Sequence, residues 1–246
     1  MDGKDLIIFD LDGTLAESKT EMDEEMSELF SKLLSKKKVA IISGGTYTQF
    51  KKQFLEGLDC SEELLKNLYL FPVCSTQFYK FNKEWEKIYS EELTNEEIEK
   101  IIDSLYKSLD EFGFDEKELY GERIENRGSQ VTFSALGQDA PTEKKSCWDV
   151  NLSKRRKIKK ILEKYIPEFE IRLGGVSSID ITRKGIDKSY GIKQIEKNLG
   201  YSIKQMLFIG DALFEGGNDY PVKSTGVTCM AVSGPEETKK IVRGLI

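Results

Sequence analysis

The stretch LIIFDLDGTL, residues 6–15, places two aspartates two positions apart directly after an apolar run. Its apolar part, LIIF, is continuously hydrophobic, which is typical of a strand buried on both faces of a parallel sheet. Asp10 and Asp12 then lie at the carboxyl end of that strand, where open α/β sheets bind their ligands. Because Asp and Gly are common turn residues, a plain acidic turn is the alternative. A calcium-binding EF-hand loop does not fit, since Gly13 is its fourth residue rather than its sixth.

Polar residues also follow two other apolar runs of the chain. They are Ser43, Gly44 and Gly45 at the end of the run VAIIS, and Asp211 and Asp219 after the run MLFIG. A hydroxyl and exposed backbone N–H groups at a strand end can hold a phosphate. Clustered carboxylates repel one another unless a hard divalent cation is present, and an oxygen-only ligand set without His or Cys selects Mg²⁺.

The order of strand and helix patterns predicts two domains. Apolar strands alternate with helices over residues 1–81 and again over 188–246, which predicts an α/β core with a parallel sheet covered on both faces. Residues 82–187 differ: they open with a helix for which Thr94 and Glu97 form a capping box, and half-polar strands follow. The predicted strands of this part are GERIEN, SQVTFSA, FEIRL and SSIDIT. We therefore expect an α+β domain inserted into the core.

Composition limits the kind of protein. The 246 residues are 39% hydrophobic and 33% charged, which is typical of a soluble globular protein. No apolar run approaches the ~18 residues of a membrane span, and the N-terminus lacks signal-peptide features, so we expect a cytoplasmic protein without a membrane partner. The net charge of −6 makes a nucleic-acid partner unexpected, and the basic run Lys154–Lys160 is interpreted as the solvated face of a helix. Histidine is absent, which excludes catalytic triads built on imidazole.

The combination of these motifs resembles the haloacid dehalogenase (HAD) superfamily of phosphotransferases. DLDGT resembles its first motif, Ser43 or Thr46 its second, Lys188 its third and GDALFEGGND its fourth. The resemblance implies that Asp10 is a nucleophile that becomes an aspartyl phosphate and that Asp12 is the general acid/base. Lys188 would neutralise charge between Asp10 and the phosphoryl group. The implied ligands of the metal are Asp10, the backbone carbonyl of Asp12, Asp211, Asn218 and Asp219.

Within this superfamily the chain is similar to the type IIB branch, whose α+β cap domain is inserted into the core, and there to the eukaryotic-type phosphomannomutases. The segments NRGSQVTFSALG and GGVSSIDITRKGIDK and the double glycine of GDALFEGGND carry this likeness. It implies a hexose phosphate as substrate, a hexose 1,6-bisphosphate as activator and a homodimer formed through the cap. The implied substrate-binding residues are Gly44, Gly45, Lys19, Arg127, Gln138, Lys145, Ser178 and Asp180.

The chain departs from that pattern at Gln138 and Lys145, where the family carries arginines, and at Lys19, which also replaces an arginine. Fewer bidentate positive groups would weaken the binding of a second phosphate. Two enzymatic hypotheses therefore stand: a mutase that interconverts hexose 1- and 6-phosphates, and a phosphatase in which water attacks the same aspartyl phosphate. A binding module with a degenerate active site is disfavoured, because every catalytic carboxylate is present.

Overall fold

The computed structural model describes residues 3–17 and 20–246, which form two compact units. The core unit comprises Met1–Ser90 and Asp187–Ile246, and the cap unit comprises Glu91–Ile186. The chain leaves the core unit after Ser90 and returns to it at Asp187. Across the described ranges, none of the helices combines the length and the apolar content of a membrane span.

The core unit is built on a seven-stranded sheet. Its strands are β1 (Leu6–Asp10), β2 (Lys38–Ile42), β3 (Leu68–Phe71), β4 (Gln77–Asn82), β5 (Glu84–Ser90), β10 (Met206–Gly210) and β11 (Thr228–Ala231). They lie in the order β11-β10-β1-β2-β3-β4-β5, and the first five positions of this order are parallel. The nucleophile candidate Asp10 therefore ends a strand in the middle of the sheet.

Helices cover both faces of the core sheet. They are α1 (Glu24–Leu34), α2 (Tyr47–Phe50) with its π-helical continuation (Lys51–Leu55), α3 (Glu62–Leu65), α4 (Pro72–Ser75), α8 (Lys188–Leu199) and α9 (Pro235–Arg243), with 3₁₀ turns at Ile203–Gln205 and Tyr220–Thr225. Along β1, Ile7 and Phe9 pack into one apolar layer and Leu6 and Ile8 into the other. This alternation confirms the prediction of a strand buried on both faces.

The hairpin β4–β5 is the main difference from the prediction for the core. β4 runs antiparallel to β3, and β5 pairs antiparallel with β4, so both strands extend the core sheet. The predicted division after residue 81 falls inside this hairpin, whereas the core unit continues to Ser90. The turn between the strands consists of Lys83 in the left-handed region, with φ 66°. Because this turn contains no glycine, the sequence gives little sign of it.

The cap unit is a four-stranded antiparallel sheet with helices on one face. Its elements are α5 (Asn95–Phe112), β6 (Ile124–Asn126), β7 (Val131–Ser134), α6 (Thr142–Trp148), α7 (Ser153–Tyr165), β8 (Phe169–Gly174) and β9 (Ser178–Arg183), and the strand order is β6-β7-β9-β8. The capping box of Thr94 and Glu97 is confirmed, but α5 begins only at Asn95. Ile101 and Ile158 pack from the helices onto Phe133 of the sheet in one buried cluster.

The basic run on α7 is only partly a solvated face. Lys154, Arg156, Lys157 and Lys160 are exposed, as predicted. Arg155 is different: its side chain is 1% exposed, pairs with the buried Asp149 and donates to the carbonyls of Gly174 and Gly175. A buried guanidinium requires such partners. The prediction is therefore wrong for Arg155, which ties the start of α7 to the β8–β9 turn.

Candidate active site

Asp10 and the turn that follows it form the centre of the site. Asp10 is the last residue of β1 and is 2% exposed. Gly13 has φ +76°, and a Cβ built there would lie 2.6 Å from Oδ2 of Asp211. Only glycine fits such a position without strain or a steric clash. Gly13 thus allows the DLDGT turn to approach the loop after β10 closely.

Lys188 lies directly against the nucleophile candidate. It is the first residue of α8, whose N-cap Asp187 accepts from the N–H of Tyr190. The ammonium Nζ is 2.6 Å from Oδ1 of Asp10 and also bonds to Asp219. Burial alone lowers the pKa of this ammonium, but the charges of the two carboxylates outweigh it and hold the pKa above its ordinary value. Lys188 is therefore a permanent cation beside Asp10.

Three carboxylates converge on the same place. Asp10, Asp211 and Asp219 each offer an oxygen, and these oxygens all lie within 4.8 Å of one another. Burial raises the pKa of Asp10 well above its ordinary value; Lys188 opposes this rise, and Asp219 and Asp211 add to it. Burial and the charge of Asp219 likewise raise the pKa of Asp211. One ammonium among three carboxylates leaves excess negative charge, and an all-oxygen donor set fits a hard divalent cation.

The loop after β10 carries Asp211 and Asp219, and hydrogen bonds to Thr14 and to Asp219 hold its first residues. The N–H of Asp211 donates to the Thr14 hydroxyl at 3.1 Å, and the N–H of Ala212 donates to Asp219 at 3.0 Å. Sequence reasoning gave Thr14 no role, although it belongs to the quoted motif. Asn218, the predicted ligand that precedes Asp219, is exposed.

The predicted phosphate loop, residues 43–45, directly follows β2. Ile42 pairs with Asp10 in the sheet, so Ser43 lies one residue beyond the position opposite the nucleophile candidate. The N–H of Gly45 donates to the Ser43 hydroxyl at 3.1 Å, and the Thr46 hydroxyl accepts from Gln49 as the N-cap of α2. Ser43 therefore lies closer than Thr46 to the residue that pairs with Asp10, and Thr46 serves as the N-cap of α2.

The short segment α4, which follows β3, supports this loop; it is a strained turn rather than a regular right-handed helix. Val73, Cys74 and Ser75 all lie in the left-handed region, with φ of 51°, 52° and 68°. The N–H groups of Val73 and Cys74 donate to the carbonyls of Gly45 and Ser43 at 2.9 Å. Left-handed conformations of non-glycine residues store roughly 1–3 kcal/mol each. Strain of this kind clusters at functional sites, and here it fixes the backbone of the predicted phosphate loop.

Ser75→Gly is expected to raise the free energy of unfolding by about 1 kcal/mol, because glycine adopts this φ without strain. In the described part of the chain, the Ser75 hydroxyl is buried without a hydrogen-bond partner, so its removal also relieves a desolvated polar group. Urea unfolding of both proteins measures the change. Ser75→Ala, which keeps the Cβ, is the control for the hydroxyl alone. A Gly variant no more stable than the Ala variant would contradict the backbone explanation.

Asp12 is half-buried, and its Oδ1 accepts from Nε2 of Gln53 at 3.2 Å. Sequence reasoning missed Gln53, which lies beyond the quoted motifs on the helix that follows the phosphate loop. Lys19, predicted to bind substrate, lies outside the described residues.

Three predicted substrate residues of the cap, Arg127, Gln138 and Lys145, lie in contact with one another through Gln138. Arg127 pairs with Glu125 at 2.7 Å, and its Nη2 lies 3.4 Å from Oε1 of Gln138. The ammonium of Lys145 donates to the backbone carbonyl of Gln138 at 2.6 Å. Among the described residues, Nε2 of Gln138 is a buried donor without a partner. A buried unsatisfied donor beside a guanidinium and an ammonium suits an anionic ligand.

Ser178 and Asp180, the other two predicted substrate residues of the cap, lie on β9. Asp180 is opposite Thr132 on β7 and opposite Arg172 on β8. The Thr132 hydroxyl donates to Asp180 at 2.8 Å, and Ser178 pairs with Ser134. Because side chains alternate along a strand, these polar residues share the face opposite the apolar cluster. The sequence predicted Asp180 and Ser178 but not their neighbour Thr132.

Comparisons with solved structures define the class of fold. A haloacid dehalogenase-like hydrolase from Bacteroides thetaiotaomicron matches with a TM-score of 0.66 and 13% identity, over 99% of this chain and 100% of that one. An IMP-bound IMP-nucleotidase from Plasmodium falciparum matches with a TM-score of 0.73 and 20% identity, over 99% of this chain and 68% of that one. The predicted HAD-type α/β fold is confirmed.

Comparisons of sequence narrow the class to a family. The family described as eukaryotic phosphomannomutase matches residues 26–246. A phosphomannomutase from Encephalitozoon cuniculi is 30% identical over 98% of this chain and 93% of its own length. The chain belongs to the eukaryotic phosphomannomutase family, and it is an enzyme.

Proposed function

We propose that this enzyme transfers a phosphoryl group of hexose phosphates through an aspartyl phosphate on Asp10, and that it interconverts mannose 1-phosphate and mannose 6-phosphate. One observation carries the proposal: Lys188 contacts Asp10 at 2.6 Å inside a cluster with Asp211 and Asp219. A carboxylate can attack phosphorus only where positive charge offsets the repulsion between the two anions. Membership of the phosphomannomutase family supports a mannose phosphate as the substrate.

In the first step, an oxygen of Asp10 forms a bond to phosphorus as the bond between phosphorus and the sugar oxygen breaks. Asp12 gives its proton to the leaving sugar oxygen. In the second step, Asp12 takes the proton from an acceptor hydroxyl, which attacks phosphorus and releases Asp10. Lys188 stays beside Asp10 and offsets charge on the transferred group. Mg²⁺ held by Asp10, Asp211 and Asp219 would neutralise negative charge on the phosphoryl oxygens.

The identity of the acceptor separates a mutase from a phosphatase. A mutase binds a bisphosphate intermediate until its second phosphate reaches Asp10, so it needs strong charge for the phosphate not being transferred. We assign that role to Arg127, Gln138 and Lys145, with Ser178 and Asp180 as contacts for the sugar. Glu125 already pairs with Arg127, and Gln138 is neutral. These two features favour some attack by water, and release of inorganic phosphate is therefore the second candidate activity.

The test follows both products from one labelled substrate. Mannose 1-phosphate is incubated with and without a hexose 1,6-bisphosphate, and hexose 6-phosphate and inorganic phosphate are measured together. We expect hexose 6-phosphate in the presence of the bisphosphate, with measurable release of phosphate. Gln138→Arg adds a charge-assisted contact and should shift the partition toward isomerisation by roughly tenfold. Gln194→Arg, on α8, is the control for added charge elsewhere.

One experimental outcome would show that the enzyme is a phosphatase and not a mutase. If only inorganic phosphate appears with and without the bisphosphate, and Gln138→Arg leaves that result unchanged, the enzyme is a sugar-phosphate hydrolase. The aspartyl phosphate on Asp10 is common to both activities, so this outcome leaves the nucleophile in place.

A further inference from the structure

We propose that Gln53 is a positioning residue that orients the carboxylate of Asp12 for proton transfer. The inference rests on the proposed function, because it assigns Gln53 to the general acid/base of that reaction. Nε2 of Gln53 donates to Oδ1 of Asp12 at 3.2 Å, and Gln53 is only 5% exposed. A buried amide has its rotamer fixed by packing, so it can hold a half-buried carboxylate in one orientation.

The element that carries Gln53 is anchored on both sides. Phe50 and Phe54 are fully buried, and the ring of Phe54 packs edge-on against Phe30 with centroids 4.9 Å apart. The carbonyl of Gln53 accepts from the N–H of Met22 at 2.8 Å. The backbone of Gln53 and the nearby rings of Phe50 and Phe54 are therefore held by the core, and the amide of Gln53 has little freedom to move.

The local helix geometry is also unusual. The turn Lys51–Leu55 is π-helical, with the N–H of Glu56 donating to the carbonyl of Lys51 at 2.9 Å. Single π-turns inside helices are rare and occur frequently at functional sites. This one continues α2, which begins at the N-cap Thr46 directly after the predicted phosphate loop. One short element thus connects the predicted phosphate loop to Gln53, which donates to Asp12.

An amide suits this task because it is uncharged and keeps its N–H donors at every pH of interest. Asp12 must be protonated in one step and ionised in the next, and a charged neighbour would stabilise one of these forms over the other. The neutral amide of Gln53, which donates to Oδ1, instead fixes the plane of the Asp12 carboxyl group in both steps. Loss of that orientation should therefore slow both proton transfers without weakening substrate binding.

The leaving group of the substrate separates this role from a structural one. p-Nitrophenolate departs readily without a proton, whereas a sugar alkoxide needs the proton of Asp12. For Gln53→Met, which keeps the length of the side chain and removes the donor, we expect kcat on mannose 1-phosphate to fall about 10- to 100-fold with KM within about twofold. The pre-steady-state burst of p-nitrophenolate from p-nitrophenyl phosphate should keep its rate within about twofold, while the steady state after the burst slows.

Gln194→Met is the matched control, since Gln194 is a half-buried glutamine of the same unit that bonds to Asn198 instead of a catalytic group. Circular dichroism and the melting temperature report whether each variant folds. If Gln53→Met does not fold, Gln53→Leu also removes the donor without adding a charge beside Asp12. Equal slowing of the burst and of sugar turnover, or no slowing of either, would overturn the positioning role. If acid-quenched wild-type enzyme retains no base-labile phosphoryl group from labelled substrate, the Asp10 phosphoenzyme is excluded, and the proposed function fails with it.

Discussion

Asp10→Asn is expected to lower the turnover of hexose phosphates by at least about a thousandfold while the core unit stays folded. The amide is nearly isosteric with the carboxylate but cannot attack phosphorus. Folding should survive because Lys188 keeps its second partner, the buried Asp219. The substitution also removes one of three clustered carboxylates, and burial together with the charges of Asp219 and Asp211 raises the pKa of Asp10.

Phosphate labelling gives the direct measurement. Wild-type enzyme incubated with labelled mannose 1-phosphate and quenched in acid should retain one acid-stable, base-labile phosphoryl group per chain, and the variant should retain none. Asp5→Asn, an exposed carboxylate just before β1 that accepts from Gln205, is the control and should behave as wild type. Residual turnover of the Asn variant above a few per cent of wild type would take the nucleophile role away from Asp10.

Removal of divalent cations is expected to abolish turnover, and Mg²⁺ should restore it. Asp10, Asp211 and Asp219 offer only oxygen ligands, and Lys188 balances one of the three carboxylates. Ca²⁺ should restore activity poorly, because its larger and looser ligand shell places the phosphoryl oxygens differently from Mg²⁺. The experiment is a titration of each cation into enzyme treated with EDTA.

A variant identifies the ligands involved. Asp211→Asn should raise the Mg²⁺ concentration at half-maximal activity by about tenfold or more, since the amide is a weaker ligand for a hard cation. Asp103→Asn, on the exposed surface of α5, should leave it unchanged. Full activity in EDTA would exclude a metal requirement, and an unaltered Mg²⁺ dependence in Asp211→Asn would exclude Asp211 as a ligand.

The residues that sequence reasoning identified best are those whose positions follow from strand ends. A continuous apolar run places Asp10 at the carboxyl end of β1, and similar runs place Ser43 and Asp211 at the ends of β2 and β10. In a parallel sheet these ends necessarily lie along one edge. The contact between Lys188 and Asp10 came instead from the family resemblance, because no periodicity in the sequence specifies that distance.

The features that were missed depend on backbone geometry or on tertiary contacts. Val73–Ser75 is left-handed without a glycine, and Lys83 turns the β4–β5 hairpin in the same conformation, so neither carries the usual turn signal. Gln53 is brought to Asp12 by a π-helical turn, which has no sequence pattern of its own. Arg155 looks like its exposed neighbours in a basic run, and only its contact with Asp149 explains its burial.

The pairing of β1 with β10 has a consequence for how the enzyme is made. Leu6 pairs with Met206, so the strand that ends at Asp10 completes its pairing only with a segment synthesised 200 residues later. The cap unit, by contrast, is one continuous segment, Glu91–Ile186, and all of its strand pairs form within it. Contacts between distant parts of a chain form late, because closing the intervening loop has an entropic cost. On the ribosome, the cap can therefore fold first, and catalytic competence arises only when the last strands close the core.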